Sequence, residues 1–330
     1  MEQKLYKFYQ GEDVFKLDDN CKEPLIEQIL WKEDYVMLVA EEKMGKTILA
    51  QQMACALSSG TPFLDTFSVP KPVKVWYFAT EGRANDLKER FIRMRNGVSV
   101  NPVNLCLIPT FFRFNTKEGT ESLTEIIQTY KHEPPQVIII DALYRAIKGS
   151  LKNDDVVNDF HAVVGSIQHY FGCAVVLVHH MTKPQRSPDG TMHQRTDKDS
   201  FGSAFLSAAV DHIIWVERFK KTEGDEEGGK DKIMKCDTQR SGIVFDSVRL
   251  RLLEPDPLLF IIPSKYEEEE HRIITILMST KEGCNIDIIM KKTKLGRTIV
   301  YTVLKRLIDG GRVTKEGYRK IGVTYKIVTK

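Results

Sequence analysis

The 330-residue chain lacks paired cysteines and has no CxxC spacing. Its six cysteines (Cys21, Cys55, Cys106, Cys173, Cys236 and Cys284) are scattered singly. That argues against a disulfide framework or a thiolate zinc site, and fits buried thiols in a reducing cytosol. Long apolar runs are missing too. None approaches the ~18–20 residues needed to span a bilayer, and no secretory signal is evident, so a soluble cytoplasmic protein is expected. Net charge is small at +3, and no repeat or low-complexity tract stands out. With 42% hydrophobic and 28% charged residues, the composition is that of an ordinary globular chain with enough length to bury a core.

The small net charge hides an uneven distribution. Residues 271–330 hold nine Lys and five Arg against four acids, a balance of +10, which leaves −7 for the preceding 270 residues. A basic C-terminal module for a polyanion on a mildly acidic body is one reading, and a solvated Lys-rich surface is the other.

From Tyr35 onward the pattern is strand, turn, helix, repeated. "YVMLVA", "VKVWYFA", "VNLCLIP", "QVIIIDAL" and "CAVVLVHH" are apolar strands, separated by helical stretches such as "TILAQQMACALSSG", closed by Gly60, and "VVNDFHAVVGSIQHYFG". Strands this apolar need cover on both faces, which alternating helices around a mostly parallel sheet provide. "VDHIIWVERF", "KIMKCDTQR", "SVRLRLL" and "LLFII" continue the β character. The expected layout is an N-terminal arm at 1–34 (a candidate subunit contact), an α/β domain at 35–262, a charged linker at 263–270 and a small module at 271–330.

One stretch carries recognisable chemistry. "AEEKMGKT" lies between a buried strand and a helix and follows the phosphate-loop pattern G-x-x-x-x-G-K-[ST], with Ala40 in place of the first Gly. The loop runs from Ala40 through Glu41, Glu42, Lys43 and Met44 to Gly45, and Lys46, Thr47 and Ile48 open the helix. In such a loop backbone amides wrap phosphates, the Lys reaches the β/γ-phosphates of ATP and the hydroxyl binds Mg²⁺. The first position needs a small residue more than a positive φ, so Ala40 is compatible. A P-loop enzyme also needs a carboxylate for the Mg²⁺ water shell, and Asp141, closing "VIIID", fits. Ala142 follows it, where many P-loop ATPases keep a water-activating Glu. The next strand-end carboxylate is Glu81 in "VWYFATEGR", a candidate general base; a cap for the helix near Ala84 is the plainer reading.

"AEEKMGKT", "GTPFLDTFSVPKPVKVWYFATEG", "VIIIDAL", "VVLVHHMTK" and "FGSAFLSAAVDHIIWVER", in that order over residues 24–250, resemble the RecA-like ATPases, particularly RepA-type hexameric replicative helicases. The resemblance implies active sites between subunits, with Glu81 as base and Asp141 in the Mg²⁺ shell. It implies that His180 is a sensor of the γ-phosphate, with His179 beside it. It implies that the loop after this strand, carrying Lys183, Arg186, Arg195 and Lys198, faces single-stranded DNA in a ring channel; a plain surface loop is the alternative. It also implies that Arg240 in "CDTQRSG" acts in trans as an arginine finger. Related helicases often place a Lys two residues earlier, where this chain has Thr238, and Lys235 is a candidate substitute.

Beyond the linker, three helical stretches and two short strands resemble a winged helix-turn-helix. Ile299, Val300, Val303, Leu304 and Leu307 are spaced for its core. Arg297, Thr298, Tyr301 and Lys305 are left for duplex DNA, and Arg319 and Lys320 sit at the wing tip. Winged helices also serve as protein-interaction modules. The leading expectation is an ATP- and Mg²⁺-dependent hexameric DNA helicase of a plasmid, phage or other mobile element, with a primase or initiator as candidate partner. The alternatives are an ATP-switched DNA-binding regulator or loader, and a filament-forming recombinase relative.

Overall fold

The computed structural model describes residues 10–12, 23–181, 204–219, 231–239, 245, 247–263, 266–280, 283–309, 312–317 and 323–327. These divide into two compact units, Met1–Ile262 and Pro263–Lys330. Among the described residues no helix is long and apolar enough to cross a membrane.

The first unit opens with a small antiparallel pair, β1 (Pro24–Ile26) and β2 (Leu30–Trp31). Leu25, Ile26, Ile29 and Leu30 are buried in the main core, and the His212 imidazole meets the Ile29 carbonyl at 2.9 Å. Residues 24–31 of the expected arm are therefore part of the α/β body.

Next come β3 (Tyr35–Ala40), α1 (Lys46–Ser59), β4 (Val75–Ala79), α2 (Ala84–Met94), β5 (Leu105–Pro109) and α3 (Lys117–Thr129). They are followed by β6 (Val137–Asp141), the four-residue α4 (Leu143–Ala146), α5 (Asp154–Phe171), β7 (Ala174–His180), the short α6 (Ala204–Ala208) and β8 (His212–Arg218). The unit ends with β9 (Asp231–Gln239), β10 (Val248–Leu253) and β11 (Leu259–Ile261). One nine-stranded sheet results, ordered β11-β10-β9-β8-β3-β7-β6-β4-β5. From β8 to β5 all neighbours are parallel, and β9, β10 and β11 add an antiparallel flank.

The near-continuous apolar strands behave as both-face-covered parallel strands must. Val36 and Leu38 enter one core with α1, while Tyr35, Met37 and Val39 enter the other with α5. Both long helices end on a left-handed glycine, Gly60 and Gly172, and the Asn153 side chain caps the start of α5 by accepting from the amides of Asp155 and Val156.

Taken by itself, the second unit contains α7 (Glu267–Met278), α8 (Ile286–Thr293), α9 (Arg297–Asp309) and an antiparallel pair, β12 (Val313–Glu316) with β13 (Thr324–Ile327). The first turn of α7 occupies 267–270, within the stretch expected to be linker. Val300, Val303, Leu304 and Leu307 are buried as their spacing predicts, but Ile299 is 37% exposed, one step too far round α9 to reach the core.

Candidate functional site

Strand register brings the chemistry together. Ala40 lies opposite His180, and Ala79 opposite Asp141, so the C-terminal ends of β3, β7, β6 and β4 form one rim. Ligands of open α/β sheets bind in a crevice outside such ends. Thr80 locks the rim: its amide donates to the Asp141 carbonyl at 2.8 Å and its hydroxyl to the Ala142 carbonyl at 2.7 Å. Glu81 is the next residue.

Ala40 is the last residue of β3 and fully buried. Its carbonyl accepts from the Met181 amide at 3.0 Å and from Lys46 Nζ at 2.9 Å. The Lys46 ammonium also donates to the Glu41 carbonyl at 2.6 Å. With three N–H donors, it keeps one more for an incoming acceptor. Burial pushes its pKa down to about 8, although Asp141, Glu81, Glu42 and Glu41 each pull it back up. Between strand and helix the loop turns through Lys43 at φ 64° and Gly45 at φ 85°. A Cβ on Gly45 would lie 2.7 Å from Phe260 Cζ, so glycine is required both by conformation and by that ring. Met44 is buried under the loop, and Ile48 packs against the core.

The Thr47 hydroxyl stands 3.3 Å from Asp141 Oδ1, and the Tyr77 hydroxyl donates to Oδ2 at 2.5 Å. Asp141 is buried, which raises its pKa; the Tyr77 and Thr47 hydroxyls oppose that shift. Glu81 accepts a hydrogen bond from Tyr144 at Oε2, and its Oε1 is 3.9 Å from His180 Nε2, beyond hydrogen-bond length. The facing His180 imidazole and then the Tyr144 hydroxyl hold its pKa below the usual carboxylate value, against the effect of burial. His179, on the opposite face of β7, is buried and its pKa is depressed to about 4. Adjacent strand residues point to opposite faces, so the two imidazoles do not converge on one metal.

A cleft of about 480 Å³ runs beside the loop, lined by Glu41, Glu42, Lys43, Tyr144, His180 and Arg218. Tyr77, Tyr144, Arg218 and Phe260 were not singled out from sequence. Tyr77 reads as a core strand residue and Phe260 as part of an apolar run; Tyr144 sits in a short segment without a motif, and Arg218 ends the stretch "FGSAFLSAAVDHIIWVER" with nothing in its spacing to set it apart.

The remaining candidates are dispersed. Lys235 pairs with Glu217 on the neighbouring strand at 3.3 Å. Arg297 pairs with Asp287 at 2.5 Å, while Thr298, Tyr301 and Lys305 are exposed along α9. Lys183, Arg186, Arg195, Lys198, Arg240, Arg319 and Lys320 lie outside the described residues, as does the Thr238 side chain.

The arrangement matches a family model described as an AAA domain over residues 10–186, more than half the chain. The chain belongs to the AAA domain family. No curated protein matches it by sequence. Among solved structures, this AAA-domain chain is similar to one described as an ATPase domain, at TM-score 0.54 and 15% identity, covering 77% of this chain and 95% of that one. It is also similar to a DnaB-like replicative helicase whose structure was described with its primase interactions, at TM-score 0.52 and 15% identity. That match covers 71% of this chain and 59% of the other. The fold is therefore that of the RecA-like P-loop ATPases, and the AAA-domain match makes the chain an ATPase.

Proposed function

We propose that this ATPase is a DNA helicase or translocase working as a homo-oligomeric ring, most simply a hexamer. The observation that carries the reading is the single strand-end rim joining Lys46, Thr47, Asp141, Glu81 and His180. The DnaB-like fold adds the context of replication.

In this reading Ala40 to Ile48 cradle the ATP phosphates, and the free N–H of Lys46 meets a β/γ-phosphate oxygen. A hydroxyl and a buried carboxylate, both hard oxygen donors, suit Mg²⁺ held partly through water, so Thr47 and Asp141 would hold it. Bound there, Mg²⁺ would offset charge on the transferring phosphoryl group. Glu81 takes the proton of the attacking water. His180 reports the γ-phosphate to the chain that follows β7. There Lys183, Arg186, Arg195 and Lys198 would track single-stranded DNA by its phosphates. Arg240 would reach the neighbouring subunit's ATP.

The basic second unit, with three helices and a strand pair, is read as a winged helix that contacts duplex DNA through Arg297, Thr298, Tyr301, Lys305, Arg319 and Lys320. A primase or initiator is the proposed protein partner. Service to a plasmid, phage or mobile replicon rests on the RepA-type resemblance of residues 24–250. Unwinding of a forked DNA with ATP and Mg²⁺, by wild type and by Lys46→Ala, tests the reading. Strand separation by wild type alone supports it. ATP-dependent assembly on duplex DNA with no strand separation would move the assignment to an ATP-switched regulator or loader.

A further inference from the structure

Glu81 has a neighbour on each carboxylate oxygen, the Tyr144 hydroxyl at Oε2 and His180 Nε2 at Oε1. Those two neighbours also touch each other. The Tyr144 and His180 rings meet edge-on, with centroids 5.3 Å apart and planes at 76°. Tyr144 sits on α4, which is pinned from the β5–α3 connection. The Arg113 guanidinium donates to the Tyr144 and Arg145 carbonyls, and the Phe114 amide donates to the Ala146 carbonyl at 2.7 Å. His180, by contrast, is the last residue of β7 and leads directly into the chain proposed to meet DNA.

A carboxylate oxygen that accepts from a phenol is a weaker base, and its direction is set by that bond. To take a proton from water at Oε2, Glu81 must turn from Tyr144 or share that oxygen. The Tyr144 ring is held by the edge of His180, by the Arg145 guanidinium 5.3 Å from its centroid and by its hydroxyl bond to Glu81, and of these partners only His180 lies on β7.

We propose that Tyr144 is a positioning residue that restrains Glu81, and that movement of His180 at the end of β7 releases the restraint. Resting on the reading of Glu81 as general base, this makes α4 the link between events after β7 and the rate of hydrolysis. Tyr144 itself touches neither phosphate nor water in this scheme. Its effect is on kcat and not on ATP affinity.

The test is steady-state ATP hydrolysis by the full chain, with and without single-stranded DNA, for wild type, Tyr144→Phe, Tyr144→Leu, Glu81→Gln and the Tyr144→Phe/Glu81→Gln double variant. Loss of one hydrogen bond to a charged group is expected to raise the DNA-free kcat of Tyr144→Phe by about tenfold. KM for ATP should stay unchanged, and stimulation by DNA should shrink in proportion. Tyr144→Leu should move the same way, and the double variant should be as inactive as Glu81→Gln. Melting temperatures identify any variant whose loss is one of folding, in which case the other variant at position 144 decides. A folded Tyr144→Phe with unchanged or reduced DNA-free kcat overturns the restraint while leaving Glu81 as base. Hydrolysis persisting in Glu81→Gln overturns the base assignment and the restraint with it.

Discussion

The Gln52 side chain and the Phe260 backbone exchange two hydrogen bonds, each 2.8 Å, across 208 residues of sequence. This reciprocal pair ties the outermost strand β11 to the second turn of α1. The Phe260 ring in turn lies against Gly45 in the phosphate loop. Gln52→Met keeps the volume but strands a buried N–H and a buried carbonyl. It should cost about 2–4 kcal/mol of stability in urea denaturation and weaken nucleotide binding. Loss of stability with unchanged nucleotide affinity would show that β11 does not support the loop.

Gly45→Ala meets two separate obstacles, the positive φ and the Phe260 ring. The backbone conformation alone costs an L-residue about 1–2 kcal/mol. Adding Phe260→Leu should recover part of the lost stability and leave the backbone part. A urea double-mutant cycle measures the coupling, and strict additivity would rule out the contact.

His161 is half-buried beside the Tyr35 hydroxyl, 2.7 Å from Nδ1, and that burial pushes its pKa down to about 4. A group with a depressed folded pKa contributes stability above its unfolded pKa and loses it as pH falls toward the folded value. Stability should therefore drop between about pH 6.5 and 4. His179, also depressed to about 4, adds to the drop, while Asp34, raised to about 7 by burial, opposes it over the same range. Comparing wild type with His161→Phe isolates one group. The variant's stability-versus-pH slope should differ by up to about one proton in the stated direction. Identical slopes would contradict the burial argument.

On α9, Lys305 is exposed and Arg297 is paired to Asp287. Lys305→Ala should weaken duplex binding evenly across sequences and flatten the salt dependence by about one unit. Asp287→Ala frees Arg297 and should tighten binding at low salt. Titrations of the full chain against duplex DNA at several salt concentrations check both, and no change in either variant would turn α9 away from DNA.

The sequence pattern revealed the strands that build the rim, because "YVMLVA", "VIIID" and "AVVLVHH" are too apolar to be anything but covered strands, and their last residues carry the chemistry. The β1–β2 pair was not legible, since strands of two or three residues show no period. Nor was Tyr144, on a helix of a single turn. Tyr77 reads as core, and only the register of β4 beside β6 reveals that its hydroxyl serves Asp141. The Gln52–Phe260 pair depends on a contact between distant segments that no local pattern encodes. Ile299 marks the limit of helical spacing as a guide to burial, for a one-residue shift round α9 is enough to expose it.

In the proposed function, ATP hydrolysis at the Lys46–Asp141–Glu81 rim answers to DNA. The most direct measurement is the hydrolysis rate of the full chain, with and without single-stranded DNA, for wild type and Lys46→Ala. Wild type should show DNA-stimulated hydrolysis and the variant should lose it. Robust hydrolysis indifferent to DNA, or hydrolysis surviving Lys46→Ala, would contradict it.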